Sequence, residues 1–128
     1  MATTPANIAK VRQAINDVIQ AGDPQKPLFY GKLEEMTGVD KHTEAHGVLE
    51  ELSTAHYAKH GLLISTVVIA KETGFPGKGY FTLAQELGLF PKTESIGGYL
   101  DGTFFPSSKA ADFWRFQQAE IFRLKPKV

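Results

Sequence analysis

The period of the apolar positions changes several times along this chain, and each change marks an element. From Asn7 to Ala21, Ile8, Val11, Ile15, Val18 and Ile19 recur at helical spacing, which predicts an amphipathic helix stopped by Gly22. Asp23 to Pro27 holds two prolines, each disfavouring helix in the residue before it, so a rigid connector follows. Leu28-Phe29-Tyr30 is a short extended piece. Leu33 and Met36 mark a short second helix over Gly31 to Thr37, and Gly38 is placed for a left-handed stop. Val39-Asp40-Lys41 forms a turn. A longer third helix is predicted from His42 to His60 on Ala45, Val48, Leu49, Leu52 and Ala55, with Thr43 as its cap and Gly61 as its stop.

From Gly61 to Ala70 periodicity gives way to a continuous, β-branched apolar run, too short to span a membrane, which predicts a buried core strand. It leads into a loop punctuated by Gly74, Pro76, Gly77 and Gly79. A short helix is expected from Phe81 to Leu87, ended by Gly88. Glycine, proline and serine are frequent from Leu89 to Pro106. Within that stretch Ile96 to Phe104 reads as a hairpin turning near Asp101-Gly102, with a long ordered loop as the rival. The closing helix is expected from Ser107 or Ser108 to Arg123 and carries Phe113, Trp114, Phe116, Ile121 and Phe122. Trp114, at helical spacing with Ile121, is read as packing.

This order predicts an α+β, single-domain, winged-helix-like fold over residues 1–128: a helix-turn-helix, then a strand and a glycine-rich wing, closed by a C-terminal aromatic helix. Residues 1–27 hold the N-terminal helix and connector. Residues 28–88 hold the helix-turn-helix, strand, wing and short helix, and residues 89–128 hold the hairpin and closing helix. Lys plus Arg and Asp plus Glu number 14 each, so net charge gives no strong long-range pull toward nucleic acid or anionic lipid. Absence of cysteine excludes disulfides, thiolate catalysis and Cys-based metal sites. No basic segment followed by an apolar one opens the chain, so the expected location is cytoplasmic, away from membranes.

Tyr30-Gly31-Lys32-Leu33, then Ala45-His46-Gly47-Val48-Leu49, then the apolar run and its glycine-rich exit resemble the DNA-binding half of the alkylguanine-DNA alkyltransferases and alkyltransferase-like proteins. The resemblance covers about Phe29 to Tyr80 and implies a DNA-binding winged helix. The family's reactive Pro-Cys-His-Arg segment would fall near Leu62 to Thr66, where this chain has no cysteine, so alkyl transfer is excluded. The recognition-helix arginine would fall near Glu44, and a carboxylate there repels phosphate. A second resemblance, over Ala70 to Phe81 and Phe113-Trp114, is to uncharacterised small bacterial and phage proteins. Those carry a strand, an Asn/Ala-Lys-x-Thr-Gly-x-Pro-Gly-x-Gly-Phe/Tyr loop and a Phe-Trp helix. It implies a recurring, phage-associated module without assigning a function.

The loop has the chemistry of a phosphate contact: Gly74, Gly77 and Gly79 permit close backbone approach, Lys71 and Lys78 supply charge, and Thr73 supplies a hydroxyl. A structural turn is the alternative, since neither a P-loop nor a dinucleotide pattern is present. His42 and His46, and His56 and His60, are each four apart and share a helix face. His46 and His56 point about 280 degrees apart, so the pairs do not converge, and they read as solvated surface histidines. Tyr80, Phe81, Tyr99, Phe104 and Phe105 are candidates for base stacking or core closure. Ser65 and Thr66 lie in the predicted strand, which does not present an exposed nucleophile. Glu72 beside Lys71 or Lys78 is the one arrangement a metal-dependent nuclease would use.

The expected function is therefore a non-catalytic DNA-binding accessory protein. Lys41, His42, Thr43 and His46 would face the groove, and Lys71, Thr73, Gly74, Gly77, Lys78 and Gly79 the phosphates. The alternatives are a protein–protein interaction module and, behind it, a small nuclease. No catalytic residue, metal or cofactor is assigned. The partner is duplex DNA or a protein, with a homodimer through the closing aromatic helix left open.

Overall fold

The computed structural model describes residues 5–23, 25–40 and 45–128. Helix α1 (Pro5–Ala21) opens on a proline, whose missing N–H is one the first turn leaves unpaired in any case. Strand β1 (Leu28–Phe29) runs directly into α2 (Tyr30–Thr37), which ends where Gly38 takes a φ of 76° and donates its N–H to Glu34 O. Then come α3 (Ala45–His60), a 3-10 turn (Ile64–Val67), β2 (Val68–Ile69), α4 (Lys78–Glu86), β3 (Gly97–Leu100), β4 (Thr103–Pro106) and α5 (Ser108–Leu124). The result is a mostly helical α+β fold with two two-stranded sheets among the described residues. Strands β1 and β2 pair in parallel, Leu28 opposite Val68 and Phe29 opposite Ile69. Strands β3 and β4 form the expected hairpin, with Asp101 and Gly102 at φ 51° and 79°, the two positive values a type I′ turn needs.

Residues Leu62 to Ile69 form the wall between two apolar clusters. Leu62, Ile64, Val67 and Val68 join Val11, Ile15, Ile19, Leu33, Val48 and Leu52. Leu63 and Ile69 face Tyr80, Phe81, Leu83, Phe90 and Trp114. Every residue of this wall is buried, yet only Val68 and Ile69 are strand, which corrects the expectation of one continuous strand. The reason is the lack of a partner: β1 is two residues long, with Pro27 before it and helix from Tyr30 onward.

The remaining polar backbone of the wall is satisfied by other means. Thr66 N–H donates to Leu63 O at 3.1 Å inside the 3-10 turn. Ser53 Oγ, on α3, accepts from Ser65 N–H at 3.0 Å and donates to Ser65 Oγ at 2.8 Å. From α5, Gln117 Oε1 accepts Leu63 N–H at 2.9 Å and Trp114 Nε1–H donates to Thr66 O at 2.9 Å. Thr66 Oγ1 pairs with Tyr80 Oη at 2.7 Å. Ser65 and Thr66 are thus buried in a 3-10 turn rather than a strand, and neither offers an exposed hydroxyl.

Two further expectations are corrected. Helix α4 begins at Lys78, three residues early, because Gly77 in an extended conformation already starts it, so Gly79 lies in the first helical turn and not in the loop. The loop after β2 runs into this helix, in the order expected. His56, expected on the helix surface, is buried at 5 % exposure. The expected start of α3 at His42 with Thr43 as cap lies outside the described residues. No helix among the described residues is long and apolar enough to cross a membrane.

Removing either side-chain partner of the wall leaves a buried N–H unsatisfied, a loss of about 1–3 kcal/mol. Ser53→Ala and Gln117→Leu are each expected to lower the unfolding free energy measured by urea titration by that amount, with a matching fall in midpoint. An unchanged midpoint in both would show that the wall's backbone does not depend on them.

Candidate functional site

The glycine loop is built by its own hydrogen bonds. Ala70 N–H donates to Phe75 O at 2.9 Å and Gly74 N–H to Ala70 O at 2.8 Å, closing the loop on itself. Gly74 takes a φ of 76°, a conformation that favours glycine. Thr73, half-buried, accepts from Phe75 N–H at 3.1 Å, so its hydroxyl shapes the turn. Phe75 and Trp114 meet edge to face with centroids 5.1 Å apart, and the Arg115 guanidinium lies 5.6 Å from the Phe75 ring centroid. Gly77 N–H donates to Tyr30 Oη at 3.1 Å, tying the loop's far end to the start of α2. The N–H groups of Gly74, Phe75 and Gly77 are committed inside the fold, so what the loop presents to solvent is its lysines, not those donors of an anion nest.

The two loop lysines have different neighbours. Lys71 and Glu72 are exposed and line a cleft of about 580 Å³ with Phe29, Tyr30, Lys32 and Glu35, beyond the ends of β1 and β2. Lys32 and Glu35 form an exposed pair at 3.8 Å, so the cleft carries balanced charge. Lys78 lies over the Tyr99 ring at 5.9 Å from its centroid. Of the other predicted residues, His46 stands in the first turn of α3, and Lys41, His42 and Thr43 lie outside the described residues. The exposed side of α3 carries Gly47, Glu50, Glu51 and Thr54, an acidic surface. Among the described residues no group of three or more His, Asp or Glu side chains stands together as a metal site.

The hairpin that Lys78 touches brings together three exposed large hydrophobic side chains, Tyr99, Leu100 and Phe105. Ser107 N–H donates to Ile96 O at 2.9 Å, which makes Gly98–Phe105 and Leu100–Thr103 the hydrogen-bonded pairs of the ladder. Gly97 and Tyr99 therefore turn their N–H and C=O groups to the outer edge of β3. Gly97 N–H is taken by Ser95 Oγ at 3.2 Å. Strand β4 lies against α4 and α5, whereas all four β3 residues are exposed. Tyr99 and Phe104 share one face, their rings 5.7 Å apart, and Phe104 reaches the core at Phe81. On the opposite face stand Leu100, 65 % exposed, and Phe105, 42 % exposed. Tyr99 and Phe105 were legible as candidates from their aromatic character. Leu100 is not among the sequence candidates, although Gly97-Gly98-Tyr99-Leu100, four uncharged residues in a row, is the signal of a strand without a polar face.

Comparison of the chain with known protein families, with characterised proteins and with solved structures finds no match in any of the three.

Burial pushes the Tyr30 phenol above its ordinary 10.0, the Gly77 N–H drawing it partly back. Burial pushes Tyr80 up further, against the pull of the Thr66 hydroxyl, with Tyr30 nearby adding to the rise. A raised folded-state pKa contributes stability that is complete below the unfolded value and is lost as pH rises above it. Phenolate absorbance from Tyr80, 5 % exposed, is thus expected to appear together with loss of helical circular dichroism above about pH 10. Tyr80→Phe should remove that component. Titration of Tyr80 while the helices remain intact would contradict its burial.

Proposed function

We propose that this chain is a non-catalytic, cytoplasmic interaction module that takes an extended segment of a partner protein along the open edge of β3. The observation that carries the proposal is that edge itself. Tyr99 turns a backbone donor and acceptor outward, no charged residue or proline protects the strand, and Leu100 and Phe105 offer apolar surface beside it. Lys78 over Tyr99 adds a cation at the rim. A four-residue edge is short of the roughly 1,200 Å² at which stable protein interfaces begin, which favours a short peptide segment over a second copy of this chain.

Tyr99→Pro removes the outward N–H without touching a ladder bond, so the hairpin is retained while strand addition is blocked. Peptides selected from a library of extended sequences against the wild type are expected to lose at least about tenfold in affinity for this variant and for Leu100→Lys. Failure to select any peptide, or equal binding by Tyr99→Pro, would overturn the proposal. A wild-type dimer in sedimentation that Tyr99→Pro abolishes would reassign the edge to self-association.

A winged-helix-like DNA-binding role is the second reading, favoured by one observation: Lys71 and Lys78 make no ion pair with a described residue. The acidic exposed side of α3 counts against it. Fluorescence anisotropy with a random duplex at two salt concentrations tests it. Under this reading, salt-sensitive binding is lost in Lys71→Glu, Lys78→Glu, and no binding at low salt removes it.

A further inference from the structure

A second cleft, of about 420 Å³, lies between α1, α3 and the residues after α5 and shares no residue with the hairpin. Arg12 of α1, Lys59 of α3 and Lys127 line it, and no acidic side chain does. None of the three cations makes an ion pair or hydrogen bond with a described residue. In a chain of zero net charge, three cations lining one cleft have no origin in a general excess of lysine and arginine.

The position of Lys127 is enforced. Asn16 takes Val128 by both backbone groups, its Nδ2 donating to Val128 O at 3.1 Å and its Oδ1 accepting Val128 N–H at 2.8 Å. Gln20, one turn further along α1, donates to Lys125 O at 3.1 Å. Two side chains of α1 thereby fix the segment that carries Lys127 into the lining of this cleft. Leu52 and Ala55 supply apolar lining beside the cations.

We propose that this cleft binds a small phosphate ester, with the phosphoryl oxygens on Arg12, Lys59 and Lys127 and the body of the ligand against Leu52 and Ala55. The charge-assisted contacts of the two lysines and the planar fork of Arg12 suit a multiply charged oxyanion, and the volume exceeds that of phosphate alone. Calorimetric and NMR titrations of the intact chain with phosphate, pyrophosphate and adenosine diphosphate test this.

Pyrophosphate is expected to bind more tightly than phosphate, and the diphosphate ester to add shifts at Leu52 and Ala55. Arg12→Gln, Lys59→Gln is expected to weaken the ester by at least about tenfold, while Lys71→Gln, at the other cleft, leaves it unchanged. Both replaced side chains are exposed, so the fold does not depend on them. No binding at millimolar ligand, or equal binding by the double variant, would overturn the assignment. Pyrophosphate binding without added affinity or apolar shifts for the ester would reduce it to a bare anion site and overturn the ester claim.

Discussion

A buried stretch of backbone with almost no strand beside it is the constraint on which the rest of this fold depends. Each unsatisfied peptide group in Leu62–Ile69 would cost about 1–3 kcal/mol, against a total stability of about 5–15 kcal/mol for a domain. With β1 limited to two residues, the stretch tightens into a 3-10 turn and draws partners from α3 and α5. Trp114 and Gln117 are three apart on one face of α5, and both reach the same stretch. The seat of the last helix is therefore set by hydrogen bonds as well as by apolar burial. Leu62, Leu63 and Ile64 alternate between the two clusters because the chain enters this turn extended, Leu63 at φ −91° and ψ 107°.

The glycine loop inherits this arrangement. Trp114, fixed on Thr66, offers its ring to Phe75, and Tyr80, fixed on the same threonine, lies in the first turns of α4. Between those anchors the chain has Pro76, Gly77, Lys78 and Gly79, and Tyr30 ties the middle of this stretch by accepting the Gly77 N–H. The loop's rigidity is thus bound up with the core. A consequence is that Lys71 goes to the cleft beside Lys32 while Lys78 goes to Tyr99, so the two charges that looked like one phosphate-facing set in the sequence serve separate neighbours.

What could be read from the sequence was what local chemistry decides. Helices ending at Gly22, Gly38, Gly61 and Gly88, the Asp101-Gly102 turn and the Ser107 cap on Ala110 N–H all appear where residue type demanded them. What could not be read depended on distant partners. A continuous apolar run is equally compatible with a strand or a buried turn, and the deciding fact, the length of β1, lies some forty residues away. The early start of α4 hinges on Tyr30 in the same way. The burial of Ser53 reflects a face of α3 that is covered by the wall at Ser65, and that of His56 the side of α3 turned to α1 and the residues after α5, neither of which their polar character announces. The candidate site was half legible: aromatic residues of the hairpin stood out, whereas its open edge follows only from ladder phase.

That phase is held firmly, which bears on what the hairpin is for. Gly97 sits at φ 127°, where a Cβ would lie 2.1 Å from Phe105 O, so the base of the hairpin is closed more tightly than any side chain allows. Ser107 ties the same base to α5: it donates to Ser95 O at 2.7 Å while accepting Ala110 N–H at 3.1 Å. Only Phe104 of the hairpin's aromatic residues reaches Phe81 in the core, and Leu100 and Phe105 stand outside it. A ribbon anchored at its base, with a preset I′ turn and apolar side chains that do not serve the interior, loses little conformational entropy when another strand is laid beside it. Rigidity at the root and exposure at the edge are together what the proposed strand addition requires.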